Sequence, residues 1–151
     1  MLLNILINPN PELRKKSEPL TKDELNDKNF KKTVRDMTET MIKKDGIGLA
    51  APQVGILKRL IIINTADGPM PFINPEIKKK SWRKIIMEEG CLSVPGVFAN
   101  VKRPASISIN FLDINGKNHS LKADDVLARV LQHEIDHLDG ILFIDKMEKM
   151  I

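Results

Sequence analysis

The sequence predicts an α+β fold built on antiparallel sheet. Two stretches, about Asp27 to Lys44 and about Asp124 to Leu138, repeat their apolar residues at helical spacing. Between them the chain is punctuated by short runs of β-branched residues bounded by turn signals. Within that region Asn115-Gly116, set between Ile114 and Lys117, is a two-residue hairpin signal.

From the start of the chain, Met1 to Asn8 is apolar and runs into Asn8-Pro9-Asn10-Pro11. Prolines at alternate positions exclude a central strand there, while Pro11 can open a short helical turn. In the first long helix Phe30, Val34, Met37 and Met41 recur at i, i+4, i+7 and i+11, one apolar stripe. Asn26 or Asp27 can cap its start, and Lys43-Lys44 followed by Gly46 suits its end. Leu60-Ile61-Ile62-Ile63 is a short buried run closed by Asn64 and the turn Asp67-Gly68-Pro69. Ile85-Ile86-Met87 and the alternating Ile107, Ile109 and Phe111 predict further strands. The hairpin pairs a strand ending near Ile114 with one beginning near Lys117. In the last helix Val126, Leu127, Val130, Leu131, Ile135 and Leu138 make one broad face, with Asp124 and Asp125 in the first turn and Gly140 as the stop.

A length of 151 residues predicts one domain. One cysteine excludes an internal disulfide and a cysteine-rich zinc module. The net charge of +4 can bias encounters toward anionic surfaces without identifying a partner. Lys15-Lys16, Lys31-Lys32, Lys43-Lys44 and Lys78-Lys79-Lys80 read as solvated faces, so no specific nucleic-acid site is expected. No apolar run approaches the roughly 20 residues of a membrane span, and no leader is visible. The expected compartment is the cytoplasm.

The last helix contains His133-Glu134-Ile135-Asp136-His137. Histidines four apart project from one helical face, so both imidazoles can reach one metal ion, with Glu134 beside the first. The plainer alternative is a polar face with surface histidines. A buried histidine pair with an adjacent carboxylate needs partners, however, and a metal supplies them. A catalytic site of this kind wants three protein ligands and an open position. His119, beyond the hairpin, reads as a surface residue. Cys91 ends a strand, and a lone cysteine is ordinarily a small buried hydrophobe.

Three segments together resemble peptide deformylase: Gly46-Ile-Gly-Leu-Ala-Ala-Pro-Gln-Val54, Glu89-Gly-Cys-Leu-Ser93 and Gln132-His-Glu-Ile-Asp-His-Leu138. The likeness runs from Asn10-Pro-Glu-Leu-Arg14 to Leu142-Phe143. It implies antiparallel β-sheets packed around a central metal-binding helix, in a single catalytic domain spanning 1–151. Many bacterial relatives continue into a long C-terminal helix, associated in some with docking to the ribosome; this chain stops soon after His137, so that extension is not expected.

The resemblance also implies a division of roles. Cys91, His133 and His137 would hold one divalent metal ion, typically Fe(II), with zinc, nickel or cobalt accepted. Glu134 would take a proton from a water on the metal and pass it to the leaving amine as that water attacks the formyl carbonyl of an N-formylmethionyl peptide. The Gln53 side-chain amide and the Leu92 backbone N–H would bind the oxyanion. Ile47, Gly48 and Gly90 would lie along an extended peptide. Met87, Val126 and Val130, with Ile47, would wall the methionine pocket, and the apolar stem of Arg129 would line its mouth; the alternative is that these are ordinary core residues. Glu89 and Arg103 match an ion pair of the family, and Asp136 would orient a ligand histidine or pair locally. Two other functions share the motif: an HExxH endopeptidase, and a non-catalytic module with a closed structural metal site, for which His119 is the only spare histidine.

Overall fold

The structure is a computed structural model that describes residues 1–148. Helix α1 (Lys22–Leu25) is one turn closed by a capping box: Thr21 Oγ1 accepts the Glu24 N–H and Glu24 Oε1 accepts the Thr21 N–H, both at 3.2 Å. The Thr-x-x-Glu spacing marks such a turn, although apolar periodicity does not. Helix α2 (Lys28–Lys43) follows, with Asp27 accepting the Asn29 N–H at 2.9 Å as its cap. Strands β1 (Gly48–Ala50), β2 (Leu60–Thr65), β3 (Gly68–Lys80), β4 (Lys84–Cys91), β5 (Val94–Pro104), β6 (Ser106–Leu112) and β7 (Asn118–Asp124) lead to helix α3 (Asp125–Leu138). Short 3-10 turns occupy Pro11–Arg14, Ala51–Val54 and Phe143–Asp145.

Five strands form an antiparallel sheet in the order β1-β2-β3-β6-β7, and β4 and β5 form a separate antiparallel pair. Strand β2 explains its own unbroken apolar run. Leu60 and Ile62 pack with Phe30, Val34, Met37 and Met41 of α2, while Ile61 and Ile63 pack with Leu131, Ile135 and Leu138 of α3. Successive side chains point to opposite faces, so a strand covered on both faces is apolar throughout. Helix α3 is thereby fixed against the sheet along one side and turns its histidines toward the β4–β5 pair. Among the described residues no helix is long and apolar enough to cross a membrane.

Beyond α1 and β1, which have no counterpart in the sequence expectation, three elements depart from it. Strand β3 extends well past the turn signal at Asp67-Gly68-Pro69 and contains three prolines. Pro69 and Pro71 lie opposite Asn64 and Ile62 of β2, beyond Ile73, where pairing with β6 ends at Leu112. That stretch has a neighbour on one side only, and Pro75 falls in the register shift between Ile73 and Glu76. Edges and bulges are the two places where a sheet tolerates a missing N–H. Strand β5 likewise runs through Pro95-Gly96, with β4 as its ladder partner in a two-stranded sheet. The Asn115-Gly116 hairpin exists, but β6 ends at Leu112 and β7 begins at Asn118, a longer loop than a two-residue turn. The Asp113 carboxylate holds it by accepting the Asn115 and Lys117 N–H groups at 2.9 and 3.0 Å.

Beyond α3 the chain reverses at Gly140, whose φ of +74° lies in the left-handed region. A Cβ there would fall 2.3 Å from the Arg14 carbonyl oxygen, a backbone atom that cannot step aside. Gly140→Ala is therefore expected to destabilise the fold by about 1–3 kcal/mol or more. Urea denaturation checks this, and an unchanged midpoint would show that the turn relaxes freely.

Candidate active site

Helix α3 brings His133 and His137 one turn apart, both buried, with ring centroids 5.1 Å apart. Cys91, at the end of β4, points its Sγ to 3.4 Å from His137 Nε2. The donor atoms of Cys91, His133 and His137 all lie within 4.8 Å of one another. A register shift between Glu89 and Cys91 sits just before this thiol, the kind of irregularity that re-aims a side chain at the end of a ladder.

Beneath the cluster Glu89 makes four hydrogen bonds to three side chains. Its Oε1 meets His133 Nδ1 at 2.8 Å and accepts from Arg103 Nη2 at 2.9 Å. Its Oε2 accepts from Arg103 Nε at 2.6 Å and Arg129 Nη1 at 2.7 Å. Engaging Nδ1 leaves His133 Nε2 as the ligating atom, the usual way a carboxylate sets a metal-binding imidazole. Burial alone would raise the Glu89 pKa, but the His133, Arg103 and Arg129 hydrogen bonds outweigh it and hold the carboxylate well below its usual range. Asp136 bonds Arg103 Nη1 at 2.8 Å and Lys146 Nζ at 3.0 Å, so it braces Arg103, while Glu89 performs the orienting of His133.

Gln53 sits on the Ala51–Val54 turn, fully buried. Its Oε1 accepts the Ala50 N–H at 2.9 Å, and its Nε2 donates to Ser93 Oγ at 3.1 Å and approaches Cys91 Sγ at 3.5 Å. Ser93, silent in the sequence, thus fixes which way the amide faces. Glu134 packs against β1 at Gly48, where a Cβ would stand 2.7 Å from Glu134 Oε2. Glu134 Oε1 and His137 Nδ1 are buried without partners among the described residues.

These groups open into a cleft of about 550 Å³. Gly48, Gly90, Leu92, Met87, Val130 and Arg129 line it, and Ile47 and Val126, each more than half exposed, stand at its rim. Arg129 contributes its stem only. Its guanidinium is buried and tied to Glu89, the Val101 carbonyl and the Ile85 carbonyl, the latter two both at 2.7 Å. Phe98 of β5 also borders the cleft, so close over Gly90 that a Cβ there would lie 2.7 Å from the ring. No local pattern points to Phe98, because Pro95-Gly96 disguises the strand that carries it. His119 is remote from this cleft: it is exposed, bonds Asp113 Oδ2 at 2.7 Å and stacks on Phe111.

Burial raises the Glu134 pKa to about 7, with the Glu89 charge adding to it and His133 and Arg103 opposing. Burial pushes the His137 imidazole well below its usual value. Burial also lowers His133, but hydrogen bonds to Cys91 and Glu89 overcome it and lift the pKa to about 10, so a cation binding at Nε2 has to displace a proton. A cysteine sulfur and two imidazoles, one steered by a carboxylate and one kept neutral, fit a divalent transition-metal cation with an open fourth position. The cluster, the buried Glu134 carboxylate and the Gln53 side-chain amide together suit hydrolysis of an amide.

Comparison with known proteins agrees. The chain matches the family model described as polypeptide deformylase over residues 2–150. It is 48% identical over 141 residues to the peptide deformylase of Caldanaerobacter subterraneus, covering 93% of this chain and 86% of that one. The crystal structure of peptide deformylase from Thermotoga maritima superposes with a TM-score of 0.94 at 40% identity, covering 99% of both chains. A peptide deformylase from Synechococcus elongatus in complex with actinonin gives 0.92 at 41% identity, covering 97% of this chain and 79% of that one.

Proposed function

The chain belongs to the polypeptide deformylase family, and from that premise we propose how its cleft divides the work. The reaction is hydrolysis of the N-terminal formyl group from nascent peptides, releasing formate and a free amine. The observation that carries the site assignment is the convergence of Cys91, His133 and His137 within 4.8 Å beside the buried Glu134 carboxylate. Held by those three residues, a divalent cation would supply Lewis acidity, polarising the formyl oxygen and acidifying a water. Such a donor set accepts iron, zinc, nickel or cobalt, and likeness to the family supports Fe(II).

Glu134 removes the proton from the attacking water, holds it on Oε1, which has no partner among the described residues, and delivers it to the amine nitrogen as the C–N bond breaks. Gln53 Nε2 and the Leu92 backbone N–H donate to the oxygen on which negative charge develops; each such donor is worth about 3–4 kcal/mol. The Gln53 amide is held beforehand by Ala50 and Ser93, so it need not reorganise. The substrate backbone extends past Ile47, Gly48 and Gly90 in the manner of an added strand. Its methionine side chain enters between Met87, Val126 and Val130, with the Arg129 stem at the border. All these groups belong to one catalytic domain. A nascent formylated peptide arises at translation, which supports a cytoplasmic site of action.

Formate release from formyl-Met-Ala, with no cut in unformylated peptides, is the expected assay result; internal cleavage would replace this reading with an HExxH endopeptidase. Cys91→Ser is expected to lower bound metal per chain, measured anaerobically on the same sample. Unchanged metal content would remove Cys91 from the ligand set.

A further inference from the structure

The turn between β3 and β4 has no part in the chemistry above. With the strand ends that flank it, it runs Lys78-Lys79-Lys80-Ser81-Trp82-Arg83-Lys84, and all five cations are exposed. Trp82, the chain's only tryptophan, is 97% exposed. Indole in water is unfavourable, and a mobile loop would fold it down onto neighbouring apolar surface. This turn is pinned instead. The Ser81 N–H donates to the Ser106 carbonyl at 2.9 Å and the Ser106 N–H to Ser81 Oγ at 3.1 Å. The Ala105 N–H donates to the Arg83 carbonyl at 2.9 Å, and Ser81 Oγ donates to the same oxygen at 2.7 Å.

Sheet pairing widens the patch. Lys79 lies opposite Ser108, and Ser108 opposite the exposed Lys122 of β7. The acidic groups nearby are few. Glu76 bonds Lys78 at 3.0 Å, Asp124 accepts from Ser106 Oγ at 2.6 Å, and Asp125 sits at the start of α3. Read along the sequence, Lys78-Lys79-Lys80 is a solvated run; folded, it surrounds one rigidly displayed indole. We propose that the β3–β4 turn binds single-stranded RNA, Trp82 stacking on a base while Lys79, Lys80, Arg83 and Lys84 meet the adjoining phosphates.

Stacking needs an open aromatic face, and phosphates need cations on both sides of it; this turn supplies both. Insertion into a membrane surface would call for several apolar side chains at the tip, where there is one ringed by charge. The choice of RNA over single-stranded DNA rests on the deformylase reading, because nascent peptides are made beside RNA. Along β4, Lys84 stands about 23 Å from Cys91, so the contact would leave the cleft open.

The test uses the whole protein, a fluorescein-labelled 12-nucleotide RNA of mixed sequence, and anisotropy across a salt series. Unlabelled RNA should quench the Trp82 emission saturably. Trp82→Ala should weaken binding about tenfold with its salt slope unchanged. Lys80→Ala with Arg83→Ala should flatten the slope of log affinity against log salt by about 1.4. All variants should keep wild-type turnover of formyl-Met-Ala, which shows that they fold. The proposal is overturned by unaltered binding of Trp82→Ala, by equal quenching with heparin, which has charge but no bases, by tighter binding to DNA of the same sequence, or by a blue shift with anionic phospholipid vesicles in place of RNA binding. Absence of formate release by the wild-type protein would overturn the deformylase reading separately.

Discussion

Glu134→Gln is expected to lower kcat for formate release by about 10²–10⁴-fold while bound metal stays at the wild-type level. Glutamine keeps the shape that packs against Gly48 on β1, but it cannot accept a proton and return it. Metal analysis on the same preparation separates loss of chemistry from loss of the site. Near-normal turnover would remove Glu134 from the acid–base role. The pH profile carries a second check. Burial raises the carboxylate to about 7, and the base must be ionised to act, so the wild-type rate should fall on the acid side. A cation held by Cys91, His133 and His137 favours the ionised form, which puts that limb at or below 7. Glu134→Gln should flatten it.

Glu89→Gln is expected to cost about 3–5 kcal/mol in unfolding free energy, because Arg103 and Arg129 would keep their charges in a buried site without the carboxylate that balances both. It should also weaken metal retention about 10–100-fold through the loss of the His133 contact. Equilibrium urea denaturation and metal release to a chelator measure the two effects; a loss in neither would show that the ion pairs are replaceable. The sign with pH follows from the lowered pKa. Stability from Glu89 is fully present above the unfolded value of 4.5 and is lost as pH falls toward its folded value. The gap between wild type and Glu89→Gln should therefore shrink in acid below about 4.5.

Wherever interactions stay within a few residues, the outcome is legible along the chain. The stripe Phe30, Val34, Met37 and Met41 reads as α2, and His133 and His137 read as neighbours, because helical spacing sets both. Strand β3 is not legible in this way. Its prolines argue against a central strand until the register reveals that β6 stops short of Pro69 and Pro71. Strand β5 is hidden by Pro95-Gly96, and with it Phe98 over Gly90. Arg129 shows a similar limit: its place in the helix suggests a stem on the cleft, but only the packed β4–β5 pair supplies the carbonyls and Glu89 that hold its head.

By itself the sequence determined the two long helices, the α+β class and the pair of imidazoles on one helical turn, all products of short-range periodicity. Family likeness named Cys91 and Gln53, but their meeting is tertiary, since 38 positions separate them from one another and only strand pairing closes such a loop. The same holds for the carboxylate that steers His133 from 44 positions away, and for Trp82 standing clear among its cations. Those arrangements depend on register and on which faces are covered, which are properties of the assembled sheet and not of any segment within it.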